Sequence, residues 1–400
     1  MIRIHAINRA TGDGYDVSTL AHGISYSTTL EGQPGKLEFT LEKDLNELLK
    51  LTLGDVIKFW CDEAEVFYGY IFSIKTDRSQ KYTITAYDQM RYLQNHDYLF
   101  MENLNLKTLF EKICNGAKIT KFKVLGQAKN LTDADNLEPY FFNDASYFDM
   151  FQYAITETNN KYITKDMGSL ASLSGDSSKD ETKGYKFFIR DSFGTLELND
   201  IENNVKFRQT NIDGGMTKAW IGSEWYEYDE SRRENLEPLI IGDESLLTDY
   251  EYELDIGDNT YNQLYLMDTI KSNSETSDKK STNSVLSLAQ QDDEAIKKWG
   301  VLRKIVNLKT NYGDGTEENK KRIEQYMKLS LLEGAQPSKT LRINALGYNG
   351  VNAGDGFCLQ LKKLGINQMM YVISATHSYE ADMHTMELEV ATSRNLTEVL

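Results

Sequence analysis

The chain has 400 residues, with 44 Lys and Arg against 61 Asp and Glu, for a net charge of −17. Its length suits roughly two to four domains, and the 40% hydrophobic, 26% charged composition is that of a folded globular protein, not a disordered or fibrous one. No dense Lys/Arg block offsets the acidity, which argues against phosphate-driven binding to duplex DNA; the charge reads as a solvated surface, the sharper alternative being a pore lining that repels polyanions.

Three cysteines, Cys61, Cys114 and Cys358, are far apart and odd in number, which argues for small core residues and against a disulfide framework. The N-terminus lacks a basic start followed by an apolar run, and no stretch approaches the ~20 apolar residues of a membrane span. A protein made and folded in the cytoplasm, with no membrane segment, is the expectation.

From the start to about residue 98 the pattern is strands. "KLEFTLEK" alternates Leu37, Phe39 and Leu41 against Glu38, Thr40 and Glu42, and "KYTITAYD" alternates Tyr82, Ile84 and Ala86 against Thr83, Thr85 and Tyr87. "VFYGYIFSI" is interrupted by Gly69, which marks a bulge or a close backbone approach. Several short strands within so few residues predict a small antiparallel barrel.

The period then changes. Leu106, Leu109, Phe110 and Ile113 fall at helical spacing behind Asn105 as N-cap, with Gly116 placed to stop the helix. Phe148, Phe151 and Ile155 predict a second helix, capped by Asp144 or Ser146. "KYIT", "YKFFIRD" and "GTLEL" read as a small sheet, and the Ser/Gly/Asp-rich run 165–184 as a mobile loop. Strands resume with "NVKFRQTNI", "TKAWIGSEWYEY", "DYEYELDI" and "YNQLYLMDTI"; the polar run 271–284 reads as a surface linker. "DDEAIKKWG" makes a short helix ending at Gly300, and a longer one is predicted through Ile323, Tyr326, Met327 and Leu331, ending at Gly334. The last segment returns to strands.

"LGDVIKFW", from Leu53, and "AGDGFCLQL", from Ala353, open two regions of one grammar: a Gly-Asp turn, a strand, a short gap, an apolar strand ending near Ser, a polar turn and an alternating strand. Gly54 and Gly354 can take positive φ, and Asp55 and Asp355 can hydrogen-bond their own backbone. The fold class expected is therefore α+β, mainly β, with two related antiparallel barrels. The first covers 1–98, and the second is split between 201–275 and 335–400. An α/β domain over 99–200 lies between them, and a polar linker and helical insertion over 276–334 splits the second. Duplicated barrels suit a ring, where two similar modules per subunit double the apparent symmetry.

The first repeat followed by "NLKTLFEKICNGAKI", "NDASYFDMFQYAITETNNKYI", "FFIRDSFGTLEL", "DDEAIKKWGVLRKIV" and "HTMELEV" resembles the baseplate hub proteins of contractile phage tails. Specifically, it resembles the type found in defective PBSX-like prophages and R-type bacteriocins, the late control protein D-like hubs, and the likeness covers nearly the whole chain in order. The resemblance implies tube-type barrels and a homotrimeric, pseudo-six-fold ring in the baseplate, assembled in the bacterial host cytoplasm. Its implied partners are a central spike protein, the tail tube or a tube-initiator protein and baseplate wedge proteins, with a LysM-containing baseplate protein and the tape measure as further candidates.

No catalytic constellation stands out, and no enzyme activity, cofactor or metal is expected. His377 and His384 flank a turn without a third ligand at a supporting spacing. Asp292, Asp293 and Glu294 could form a glycosidase-like carboxylate pair, but acids at a helix start are better explained by the helix dipole. "GYNGVNAGDG" lacks the Lys-Ser/Thr of a P-loop, and neither "NIDGGMT" nor "NYGDGTEEN" matches a calcium loop. Aromatics in "SEWYEYDE" alternate with carboxylates, opposite to a nucleic-acid platform, so specific nucleic-acid binding is not expected. Trp225, Tyr226 and Tyr228 are interface candidates, core packing being the competing reading. The alternative functions are a tail-associated peptidoglycan hydrolase and a carbohydrate-binding module.

Overall fold

A computed structural model describes residues 1–30, 32–42, 49–170, 187–201, 204, 207–210, 218–221, 224–227, 235–257, 260–271, 283–308, 327–328, 330–331, 334–380 and 383–392. The chain divides into two compact units, one of Met1–Glu251 with Leu341–Leu400, the other of Tyr252–Thr340.

The first unit begins with seven strands: β1 (Ile2–Ile7), β2 (Gly14–Asp16), β3 (Ala21–Thr29), β4 (Lys36–Leu41), β5 (Val56–Cys61), β6 (Ala64–Thr76) and β7 (Tyr82–Tyr87). They lie in the order β3-β4-β7-β6-β5-β1-β2, and each neighbouring pair is antiparallel. Leu37, Phe39 and Leu41 of β4 are buried with Ile4, Phe59, Phe67 and Ile84 in one core, as a period-two strand with one wet face requires. Gly69 serves close approach: a Cβ there would stand 2.3 Å from the Tyr87 carbonyl oxygen.

Two helices and five strands follow in the same unit: β8 (His96–Met101), α1 (Leu106–Gly116), β9 (Phe122–Val124), β10 (Tyr140–Ser146), α2 (Tyr147–Leu170), β11 (Phe187–Ser192) and β12 (Thr195–Asp200). Their core joins Leu109, Phe110 and Ile113 of α1 to Met150, Phe151 and Ile155 of α2. Asn105 caps α1 reciprocally with Thr108, each side chain accepting the other's backbone N–H at 2.9 Å. Ser146 caps α2, its Oγ accepting the Asp149 N–H at 3.0 Å.

Two local expectations are corrected here. Gly116 does not stop α1; Lys118 takes the left-handed conformation (φ 58) while Ile119 N–H closes on the Cys114 carbonyl at 2.8 Å, a Schellman ending without glycine. "KYIT" is helical, and α2 runs through it to Leu170, into the stretch expected as a loop. No Gly or Pro occurs between Tyr147 and Asp166, and the β-branched residues there cost a helix only tenths of a kcal/mol each. The remainder of the expected loop lies outside the described residues.

β13 (Phe207–Thr210) pairs with β16 (Asn235–Pro238), and β14 (Lys218–Ile221) with β15 (Glu224–Glu227), both antiparallel. β17 (Ile240–Gly242) and β18 (Leu247–Asp255) then enter the main sheet. Next come β19 (Gln263–Lys271), β20 (Asn283–Gln291), α3 (Asp293–Trp299) and β21 (Arg303–Leu308), which lie in the second unit. β19 pairs antiparallel with β20 along its whole length and parallel with β21, over a core of Tyr261, Leu264, Leu266, Met327 and Leu331. β19 was expected among the strands of the second barrel, and the stretch after it as linker and helices; alternation alone does not say which sheet a strand joins. Most of the helix predicted around Ile323 lies outside the described residues.

β22 (Ser338–Leu346), β23 (Gly356–Leu361), β24 (Ile366–Glu380) and β25 (Met383–Ala391) complete the main sheet in the order β18-β22-β25-β24-β23, with β17 parallel beside β23. A second core of Leu341, Ile343, Phe357, Leu359, Val372 and Leu388 lies under them. The fold is mainly β, and the described strands follow an open path, with no closed barrel among them.

Candidate assembly site: one turn written twice

The two Gly-Asp turns are the same object. Gly54 has φ +88 and Gly354 φ +87. In the first, Gly54 N–H donates to the Ile71 carbonyl (2.8 Å), Ile71 N–H to the Asp55 carbonyl (2.9 Å), and Asp55 N–H to the Thr52 carbonyl (3.2 Å). In the second, Gly354 donates to Val372 (2.9 Å), Val372 to Asp355 (2.9 Å), and Asp355 to Asn352 (3.0 Å). Each aspartate Oδ2 also accepts the N–H three residues before it, Thr52 or Asn352, at 2.8 Å. Both carboxylates are buried, which this local bonding permits.

The likeness extends through the strands. β3-β4-β7-β6-β5 in the first module has the same neighbour order as β18-β22-β25-β24-β23 in the second. Each long strand carries one extra residue against its partner at the matching place, Phe72 between Ile71 and Ser73, and Ile373 between Val372 and Ser374. Such bulges bend and twist a sheet locally, so both modules curl at the same point.

The modules join edge to edge. Past its pairing with β23, β24 pairs antiparallel with β3, placing Ala375 opposite Thr28, Thr376 opposite Ser27 and His377 opposite Tyr26. Tyr379 reaches into the first module's core and meets Phe59 edge-on at 4.8 Å. His377 Nε2 donates to the Val351 carbonyl at 2.6 Å, which leaves Nδ1 to accept from His384 Nε2 at 2.9 Å. Burial, and then the neighbouring His377, lower the His384 pKa to about 4. A histidine held neutral in the fold but protonated when unfolded withdraws stability as pH falls from its unfolded value of about 6.5 towards its folded value. Denaturation midpoints of the wild type are therefore expected to fall between pH 7 and 5 more steeply than those of His384→Gln; equal slopes would show that the pair does not govern this range.

The turns differ in what covers them. No described residue lies within 4 Å of the Cβ position at Gly54, whereas at Gly354 that position is 2.4 Å from the Phe188 ring of β11. Arg190, two residues along β11, donates from Nη1 to Asp355 Oδ1 at 2.7 Å and from Nε to Glu197 at 3.2 Å; Asn204 Nδ2 bonds the same Asp355 oxygen. At Asp55 the corresponding oxygen accepts the Thr52 hydroxyl at 3.0 Å and the Arg9 N–H at 3.2 Å. Nearby, burial pushes the Asp191 carboxyl up to about 6, and burial together with the Asp191 charge raises Asp88 well above the carboxylate range. No local sequence pattern marks Arg190 or Asn204, whose contacts to Asp355 span 165 and 151 residues.

Other candidates are not drawn together. Asp292 accepts the Glu294 and Ala295 N–H groups at 3.0 and 2.9 Å, which makes it the cap of α3. The described residues contain no group of three or more His, Cys, Asp or Glu able to hold a metal, and no helix among them is long and apolar enough to cross a membrane. Trp225 and Tyr226 lie on β15, with Trp225 opposite Trp220 in register, and Tyr228 lies outside the described residues.

The fold is that of phage tail proteins. The 43 kDa tail protein of prophage MuSo2 from Shewanella oneidensis superposes with a TM-score of 0.56 at 12% identity, covering 100% of this chain and 99% of that one. A tail protein from Neisseria meningitidis MC58 gives 0.58 at 12%, covering 99% and 98%. The chain belongs to the YQBQ-like family, whose model matches residues 24–217 and 229–391. No curated protein matches the sequence.

Proposed function

We propose that this chain is the structural hub of the baseplate in a contractile phage tail or phage-tail-like particle. Three copies form a pseudo-six-fold ring of tube-type barrels, which joins the six-fold tail tube above to the three-fold central spike below. The observation that carries this reading is the duplicated module: two copies of one strand order, turn and bulge, joined edge to edge, make each chain a tandem of like units. A closed ring of three such chains presents six similar faces to one partner while keeping true three-fold symmetry for another. Family membership and the shared fold of tail proteins support the setting. Wedge and tube-initiator proteins are the further partners this position implies.

The test is size-exclusion chromatography with light scattering on the purified chain, alone and mixed with the neighbouring spike protein, followed by particle imaging. A particle of three chain masses with six lobes is expected, alone or with the spike; a chain that stays monomeric in both would overturn the hub reading.

A further inference from the structure

The seam inside the chain uses one edge of each module, and among the described strands the other edge of each has no strand beside it. β24 offers β3 its residues 374–379, but the matching end of β6, residues 73–76, has β7 on one side only. β3 receives β24, but its counterpart β18 has only β22.

The counterparts are fixed by register. Leu37 opposite Ala86 corresponds to Leu341 opposite Val390. The Glu42 N–H on the Leu20 carbonyl (2.9 Å) then matches the Leu346 N–H on the Leu246 carbonyl (2.8 Å), which lays β3 on β18, strands of nine residues each. Leu246, Leu247 and Tyr250 accordingly pack on the second core as Leu20, Ala21 and Ile24 do on the first. β3 carries one extra residue between His22 and Ser25, and the same three-residue step onto the core, Ala21 to Ile24 and Leu247 to Tyr250, carries β18 past that point in equal length. Tyr252, Glu253 and Leu254 then answer to Tyr26, Ser27 and Thr28, and the paired bulges match Ile74, Lys75 and Thr76 to Ala375, Thr376 and His377.

Where the seam exists its side chains are covered: Tyr26 is 4% exposed and Ala375 1%. On the open edge Tyr252 is 37% exposed and Leu254 58%. The charges are complementary, since β18 carries Asp249, Glu251, Glu253 and Asp255, and the free end of β6 brings Lys75, followed by Arg78. Asp77 is turned away into its own turn, accepting from the Ser79 hydroxyl (2.6 Å) and the Lys81 N–H (3.1 Å).

We propose that β6 of one copy pairs antiparallel with β18 of the next, with Ile74 opposite Leu254, Lys75 opposite Glu253 and Thr76 opposite Tyr252. The occupant of each edge is a second copy of this chain, because a copy presents the counterpart of the strand that already fills the equivalent edge within the chain. This inference rests on the ring reading above and supplies its joint: a head-to-tail contact that closes after three chains.

Cysteine pairs in the full chain test the register. Ile74→Cys with Leu254→Cys is expected to yield covalent dimers and trimers on oxidation. The offset pair Ile74→Cys with Tyr252→Cys should do so roughly tenfold less, because diagonal neighbours stand beyond the reach of a disulfide. K75E and E253K should each weaken assembly by about two- to fivefold, and the double exchange should restore it. A trimer seen by light scattering that cross-links equally at both pairs, or at neither, overturns the register and leaves the ring standing. Absence of any trimer, with or without the spike, overturns both.

Discussion

Replacing Arg190 with Leu is expected to lower stability by about 3–5 kcal/mol, the range for removing one partner of a buried ion pair. The guanidinium is held between Asp355, which is fully buried, and Glu197, which is nearly so. In its absence two carboxylates remain out of water with their hydrogen bonds reduced, and neither can move, since Asp355 is fixed by the turn and Glu197 by the β11–β12 ladder. Urea denaturation followed by fluorescence reads the loss. The double variant R190L/D355N removes the guanidinium with one of its two counter-charges, leaving only Glu197 unpaired, and should lie nearer the wild type than R190L does. A loss below about 1 kcal/mol for R190L would place the pair among weak, solvent-screened ones.

Gly354→Val should be the second severe change, and its comparison with Gly54→Val separates two effects that one glycine alone would confound. Both positions share positive φ, so both variants bear a backbone cost of about 1–2 kcal/mol, and a β-branched side chain lies at the upper end. Only at Gly354 does the new side chain also drive into Phe188, which is 1% exposed and has no room to withdraw. Overpacking of that kind adds about 1–3 kcal/mol. Thermal unfolding of the two variants should therefore differ, with Gly354→Val the less stable; equal losses would mean that β11 moves aside freely.

Much of this was legible in the sequence because it is local. The alternation of Leu37, Phe39 and Leu41 reports one buried face, Asn105 and Ser146 cap the helices that follow them, and the Gly-Asp pairs mark strand entry. What was not legible is carried by contacts between distant segments. The β24–β3 seam is made of backbone hydrogen bonds, which any sequence can form, and Arg190 reaches Asp355 across 165 residues of chain. "KYIT" has strand residues yet continues a helix already nucleated upstream, and β19 alternates as a strand would in either unit. Local preference is a weak term beside packing that the whole fold decides.

The position of Tyr379 in the core around Phe59 has a consequence for how the protein is made. Some three hundred residues separate these side chains, and at ribosomal rates of about 5–20 residues per second their synthesis is separated by tens of seconds. During that interval the nascent N-terminal strands have an unfilled core and an uncovered β3, the kind of edge on which chains aggregate. Translation therefore completes the first module only once Tyr379 has emerged, and a chain released before that point would be sticky rather than merely short.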